Sequence, residues 1–136
     1  RRTTSGVDSS RVAMMLAVLQ SRLGVHFERN DVFVSTVGGA KALEPSVDVA
    51  IALALASAAS DLPLAPGVIA VGEVSLTGEL RPVVGLQRRL NEAARLGFHT
   101  AILPRTSEKI TAPAGMRLRA VDDVAAAARA VLPLDA

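Results

Sequence analysis

The chain of 136 residues contains no cysteine, no tryptophan and no tyrosine. Without cysteine there is no disulfide, no zinc ribbon and no thiol nucleophile. Only His26 and His99 could offer imidazole, and no cluster of carboxylates accompanies them, so no metal site is expected here. The aromatics are Phe27, Phe33 and Phe98 alone, too few for a platform on which nucleic-acid bases stack. No apolar run reaches about 18 residues, so no membrane span is expected. No signal peptide is visible, and the expected location is the cytoplasm. Net charge is only +2, carried by 13 Arg and 2 Lys against 13 Asp and Glu. An excess that small does not by itself specify a nucleic-acid partner. The chain opens on Arg1-Arg2 rather than Met, and the expectation is a fragment of a longer protein.

What is present is aliphatic. Half the residues are apolar, and alanine, valine and leucine supply most of them. The length suits one domain with a real core. Small aliphatic side chains favour tight helix-on-sheet packing.

Asp8 or Ser9 is a credible N-cap, followed by Val12, Met15, Leu16, Leu19 and Leu23 at helical spacing, with Gly24 as the stop. Asp31 to Val37 is β-branched and aromatic and reads as a strand, ended by a turn at Gly38-Gly39. Pro45 opens a second helix running to Ser60, apolar on almost every side and therefore expected to be central. Asp61-Leu62-Pro63 ends it. Val68 to Val74 reads as an interior strand, and Thr77-Gly78 turns the chain into Glu79-Leu80-Arg81. A third helix spans about Leu86 to Leu96, with Leu86, Leu90, Ala93 and Ala94 inward and Gly97 beyond it. Thr100 to Pro104 and, more weakly, Met116 to Ala120 are strands. Asp122 or Asp123 caps a last helix that Pro133 stops. The expected order is α-β-α-β-β-α-β-β-α, an α/β domain without internal repeats.

The stretch Thr77-Gly78-Glu79, then Pro82, then Gly85-Leu86-Gln87-Arg88-Arg89 carries the chemistry. It resembles the segment that holds the catalytic lysine in the Lon family of Ser-Lys proteases, where Thr-Gly-Glu is followed by Pro and by Gly-Gly-aliphatic-Lys-Glu-Lys. Glu44-Pro45-Ser46-Val47-Asp48 sits where that family has Gly-Pro-Ser-Ala-Gly, so Ser46 matches the nucleophile position. The lysine position is held by Gln87, whose amide cannot take a proton from a serine. The resemblance implies a Lon protease-like fold (ribosomal protein S5 domain 2-like), a mixed sheet packed with helices, in which no residue is catalytic. Asp48 then occupies the former oxyanion region, where its negative charge would oppose a developing oxyanion. As the first-turn carboxylate of a helix it is also favoured by the dipole. An arginine, for example from a neighbouring subunit, is its expected partner. Ser46, at a helix start, reads equally as a cap.

A second resemblance spans the whole chain. The block from Gly6 to Leu19, Asp31-Val32-Phe33-Val34, Gly38-Gly39-Ala40-Lys41 and Glu44 to Asp48 are similar to the C-terminal domain of the RadA (Sms) family of bacterial DNA-repair proteins. That family joins a zinc-binding segment and a RecA-like ATPase core to a Lon-like domain, assembles hexameric rings and promotes branch migration in recombinational repair. The resemblance implies a homo-oligomer that engages DNA without regard to sequence, with RecA as a further partner. Zinc and ATP with magnesium belong to the parts outside this segment. No cofactor is expected within it, since Gly38-Gly39 is not followed by Gly-Lys-Ser/Thr. Arg81, Arg88, Arg89 and Arg95 are the expected DNA contacts, because guanidinium forks match phosphate oxygens. Arg1 and Arg2 could extend that patch, and Glu92, four residues after Arg88, could neutralise part of it. Two rival readings are a Lon-type peptidase with a displaced base, for which Lys41 is the nearest lysine in sequence, and the Lon-like region of a ComM-type AAA+ protein.

Overall fold

Asp8 begins the first helix as a cap, its carboxylate accepting from the Ser10 N–H at 2.9 Å, in a computed structural model that describes residues 1–134. The helix, α1 (Ser9–Leu23), ends at Gly24 in the left-handed conformation and turns Val12, Met15, Leu16, Val18 and Leu19 inward. It connects β1 (Arg2–Ser5) to β2 (Val32–Ser35), which pair in parallel with Thr3 beside Phe33. β1 is absent from the sequence reading. Its Arg-Thr-Thr-Ser has no apolar alternation, and pairing with β2 alone makes it a strand.

The second helical region begins with a 3-10 turn at Pro45–Val47 and continues as α2 (Asp48–Ser60). Asp48, Val49, Ile51, Ala52, Leu53, Leu55 and Ala56 are buried. Ala50, Ala54 and Ala58 form an exposed stripe, so α2 is not enclosed on every side as its composition suggested. Alanine at those positions has no side chain large enough to reveal which face it occupies.

The segment read as one interior strand is two pieces. β3 (Val68–Ala70) runs parallel to β6 (Thr100–Pro104), and β4 (Glu73–Val74) leaves to pair antiparallel with β5 (Leu80–Arg81). The break is at Gly72, with φ 152°, where an added Cβ would lie 3.1 Å from a Val49 methyl. The interior strand is β6 instead, flanked by β3 and by β7 (Arg117–Val121) in the order β3-β6-β7. The parallel and antiparallel pairs thus occupy three small sheets rather than one mixed sheet.

α3 (Leu86–Arg95) covers one face of the three-stranded sheet, burying Leu86, Leu90 and Ala93 against Val71, Ala101 and Leu103. α1, α2 and α4 (Val124–Val131) fill the other face, around Met15, Leu19, Val49, Ile102, Val124 and Ala128. Alternation along β6 sends Ala101 and Leu103 to one cluster and Ile102 to the other. Parallel strands need a crossover. From β6 to β7 it is made by residues 105–116, which contain neither helix nor strand. Among the described residues no helix is long and apolar enough to cross a membrane.

Candidate functional site

Ser46 lies in the turn before α2 and is 8% exposed. Its backbone fixes it: the Gly72 N–H donates to the Ser46 carbonyl at 2.9 Å, and the Val49 N–H donates to the Gly72 carbonyl at 3.1 Å. The hydroxyl does not cap α2. It reaches the Glu44 carboxylate at 3.5 Å, because the intervening 3-10 turn carries the side chain away from the free N–H groups of the helix. Ser46 opens on a cleft of about 580 Å³ between β3 and α3, with Val47, Ile69, Val71, Ala93, Leu96 and Phe98 as its apolar wall and Arg88, Arg89 and Glu92 at its rim.

Gln87 turns elsewhere. Its amide nitrogen donates to the Thr111 carbonyl at 2.8 Å and to Asn91 Oδ1 at 3.0 Å, and the Thr111 N–H donates to its amide oxygen at 2.8 Å. The side chain thereby satisfies both main-chain groups of Thr111 in the irregular 105–116 crossover, which has no ladder of its own. Among the described residues no hydrogen bond joins Gln87 to Ser46.

Asp48 is fully buried at the start of α2. Its partner is Arg11 of α1 in the same chain, not a neighbouring subunit. Arg11 Nε donates to Oδ1 at 3.0 Å, Nη2 donates to Oδ2, and the Val74 N–H also donates to Oδ2 at 3.0 Å. The hydrogen bond to Asp48 raises the Arg11 pKa above its ordinary value against the opposing effect of burial. Glu73 stands 4.0 Å from the same guanidinium. The sequence reading missed Arg11 because it sits at the edge of the apolar face of α1, where an arginine normally snorkels to solvent. The buried acid one helix away was the available signal, since a buried charge requires a partner.

Of the expected DNA contacts, Arg88 and Arg89 share the cleft rim, whereas Arg81 and Arg95 lie outside it. Arg81 stands opposite Glu73 in the β4–β5 hairpin. Arg89 donates to the Val84 carbonyl at 3.1 Å and faces Glu44 at 3.6 Å. Arg95 forms a two-pronged pair with Glu92, one hydrogen bond at 2.9 Å. Glu92 therefore neutralises Arg95, three residues on, and not Arg88, because the forked contact satisfies both carboxylate oxygens. Arg88 is exposed and joins no ion pair among the described residues. Arg1 and Arg2 do not extend this face. Arg2 donates to the Phe27 and Asn30 carbonyls at 3.0 and 2.6 Å, and the Arg1 guanidinium lies 5.6 Å from the Phe33 ring centre.

A serine before α2, a Thr-Gly-Glu hairpin and a helix led by Gly-Leu-Gln follow one another in an α/β domain, in a chain whose sequence matches a peptidase domain family. The chain belongs to the Lon protease (S16) C-terminal proteolytic domain family, whose model matches residues 8–126. It is similar to proteins named DNA repair protein RadA, being 50% identical over 127 residues to that of Mycolicibacterium smegmatis, which covers 93% of this chain and 27% of that protein. The Mycobacterium tuberculosis protein is 46% identical over 127 residues, 93% of this chain and 26% of that protein. The Synechocystis protein is 44% identical over 133 residues, 98% of this chain and 26% of that protein. The chain thus spans about a quarter of the length of these relatives.

Proposed function

We propose that this is a non-proteolytic domain of a RadA-type DNA-repair protein, serving as an assembly and DNA-engaging platform. The observation that carries the reading is Gln87. The residue at the position of the Lon lysine has no amine, and its amide is committed to Thr111. A Ser-Lys nucleophile is activated by an amine base, and among the described residues the Ser46 hydroxyl bonds only to the Glu44 carboxylate, at a long 3.5 Å, whose same oxygen is paired with Arg89. Similarity to DNA repair protein RadA along nearly the whole chain supports a place in repair.

In this reading the whole protein is a DNA-dependent ATPase acting in homologous recombination. ATP with magnesium and zinc are held by parts outside this sequence. Copies form a hexameric ring, and arginines of the hairpin and α3 approach DNA phosphates without reading sequence. RecA is the candidate protein partner. Exposed Val37, Leu43, Val84 and Leu96 are aliphatic surface that subunit contacts would cover.

The test compares the whole protein with a version lacking this domain. Loss of ring-sized species in sedimentation, and of salt-sensitive duplex binding, is expected. A truncated protein that assembles and binds DNA unchanged would overturn the reading.

A further inference from the structure

Part of the arginine charge expected to meet phosphates is already compensated: Arg89 by Glu44 and Arg95 by Glu92. Another pair is not. Arg117 and Arg119 lie two residues apart on β7, so both side chains leave the same face of the strand. Both are exposed, and neither joins an ion pair among the described residues. Their register neighbours on β6 are Thr100 and Ile102, which bring no negative charge. The carboxylates that follow the strand are engaged: Asp122 with Arg105 at 2.7 Å, and Asp123 as the cap of α4. Exposed Arg129 on α4, the helix packed against β7, adds a further cation on this side of the domain.

The backbone adds donors. β7 is the outer strand of its sheet, and the Arg117 N–H donates to the His99 carbonyl at 2.8 Å. In a parallel ladder the intervening residues turn their N–H groups the opposite way, so Leu118 and Ala120 present theirs at the open edge. Two residues of strand advance about 6.6 Å, close to twice the roughly 3.4 Å of axial rise per phosphate on one DNA strand.

We propose that the open edge of β7 is a phosphate-contacting surface for DNA, with Arg117 and Arg119 as its cations, separate from the α3 face. This rests on the reading that the protein engages DNA. The experiment measures binding of the whole protein to two unrelated duplexes over a salt series, comparing the wild type with Arg117→Gln/Arg119→Gln and Arg88→Gln/Arg89→Gln. The β7 variant is expected to lose affinity equally for both duplexes and to flatten the slope of log K against log salt by up to about two. Its affinity loss between 50 and 200 mM salt then shrinks by up to about 12-fold relative to wild type. Arg117→Lys/Arg119→Lys, which keeps the charge, is expected to retain the wild-type slope. Where the double glutamine variant loses its fold, the single substitutions are read instead, each expected to flatten the slope by up to about one. If the wild type binds no DNA, the underlying reading fails and this proposal with it. If it binds and a folded β7 variant shows the same affinity and slope, only the present proposal is overturned, and the arginines serve to keep a sheet edge from pairing with another chain.

Discussion

Arg11 grips Asp48 with both prongs of its guanidinium, joining α1 to the first turn of α2 at a carboxylate that is fully buried. The Arg11 side chain is 20% exposed, so the two partners are not equivalent. Arg11→Ala strands a buried negative charge and is expected to cost about 3 kcal/mol. Asp48→Asn removes the charge, keeps an acceptor for the Val74 N–H and lets Arg11 turn to solvent, at about 1–2 kcal/mol. Urea unfolding of both variants checks the order. If Asp48→Asn proves the more damaging, a stranded charge is not what makes the pair matter.

Gln87 fastens a crossover that has no secondary structure. Gln87→Ala removes the hydrogen bonds to both main-chain groups of Thr111. Amide exchange is expected to quicken within residues 105–116 while α2 stays protected, with a stability loss of about 1–2 kcal/mol. Uniform loss of protection would show instead that the crossover and the core open together.

The domain is expected to leave casein and unfolded peptides intact. Among the described residues no amine hydrogen-bonds to the Ser46 hydroxyl, and Gln87, which the resemblance places at the Lon lysine position, is turned to Thr111. Cleavage that disappears in Ser46→Ala would refute this.

Glu44 and Glu92 each hold an arginine of the α3 face. Glu44→Gln/Glu92→Gln should release Arg89 and Arg95 toward phosphates. In the whole protein, tighter sequence-independent DNA binding and a slope against log salt steeper by up to about two are expected. Unchanged binding would place the α3 face away from the DNA.

Glu79 accepts from the Ser75 hydroxyl at 2.6 Å and from the Thr77 hydroxyl, and these bonds lower its pKa from the ordinary 4.5 to about 2. A carboxylate with a depressed folded pKa stabilises the fold fully above its unfolded value. That contribution fades as the pH falls from about 4.5 toward about 2. Glu79→Gln should therefore flatten the acid limb of the stability profile in that window and leave its shape above pH 6 unchanged. An identical acid limb in the variant would mean that other carboxylates govern it.

Helix ends were legible because they are local. Gly24 ends α1 as its residue type suggested, and of the two candidates that the sequence offered for each cap, Asp8 caps α1 and Asp123 caps α4. The β4–β5 hairpin followed from Thr77-Gly78 for the same reason. β1 was hidden because a polar strand is defined by its partner, here β2, on the far side of α1. The bend at Gly72 was hidden because β-favouring apolar residues, Val68 to Val71 and Val74, flank Gly72-Glu73 on both sides, while the close approach of Val49 to Gly72 is a tertiary contact. The partners of Asp48 and Gln87 were out of reach of any periodicity, lying at Arg11 and Thr111.

The identity of the side chains was enough to specify an α/β domain and a surplus of arginine, and its motifs resembled those of the Lon family, with Ser46 and Gln87 at the positions that the resemblance assigns to serine and lysine. The first two are properties of composition, capping and periodicity, each set within one turn or one strand. Which arginines remain electrically free was decided only by the fold. α3 places Glu92 and the turn before α2 places Glu44 beside its arginines, while β7 carries Arg117 and Arg119 to an edge where they join no ion pair among the described residues. Coulomb attraction depends on distance in space, and distance in space is a property of the packed chain.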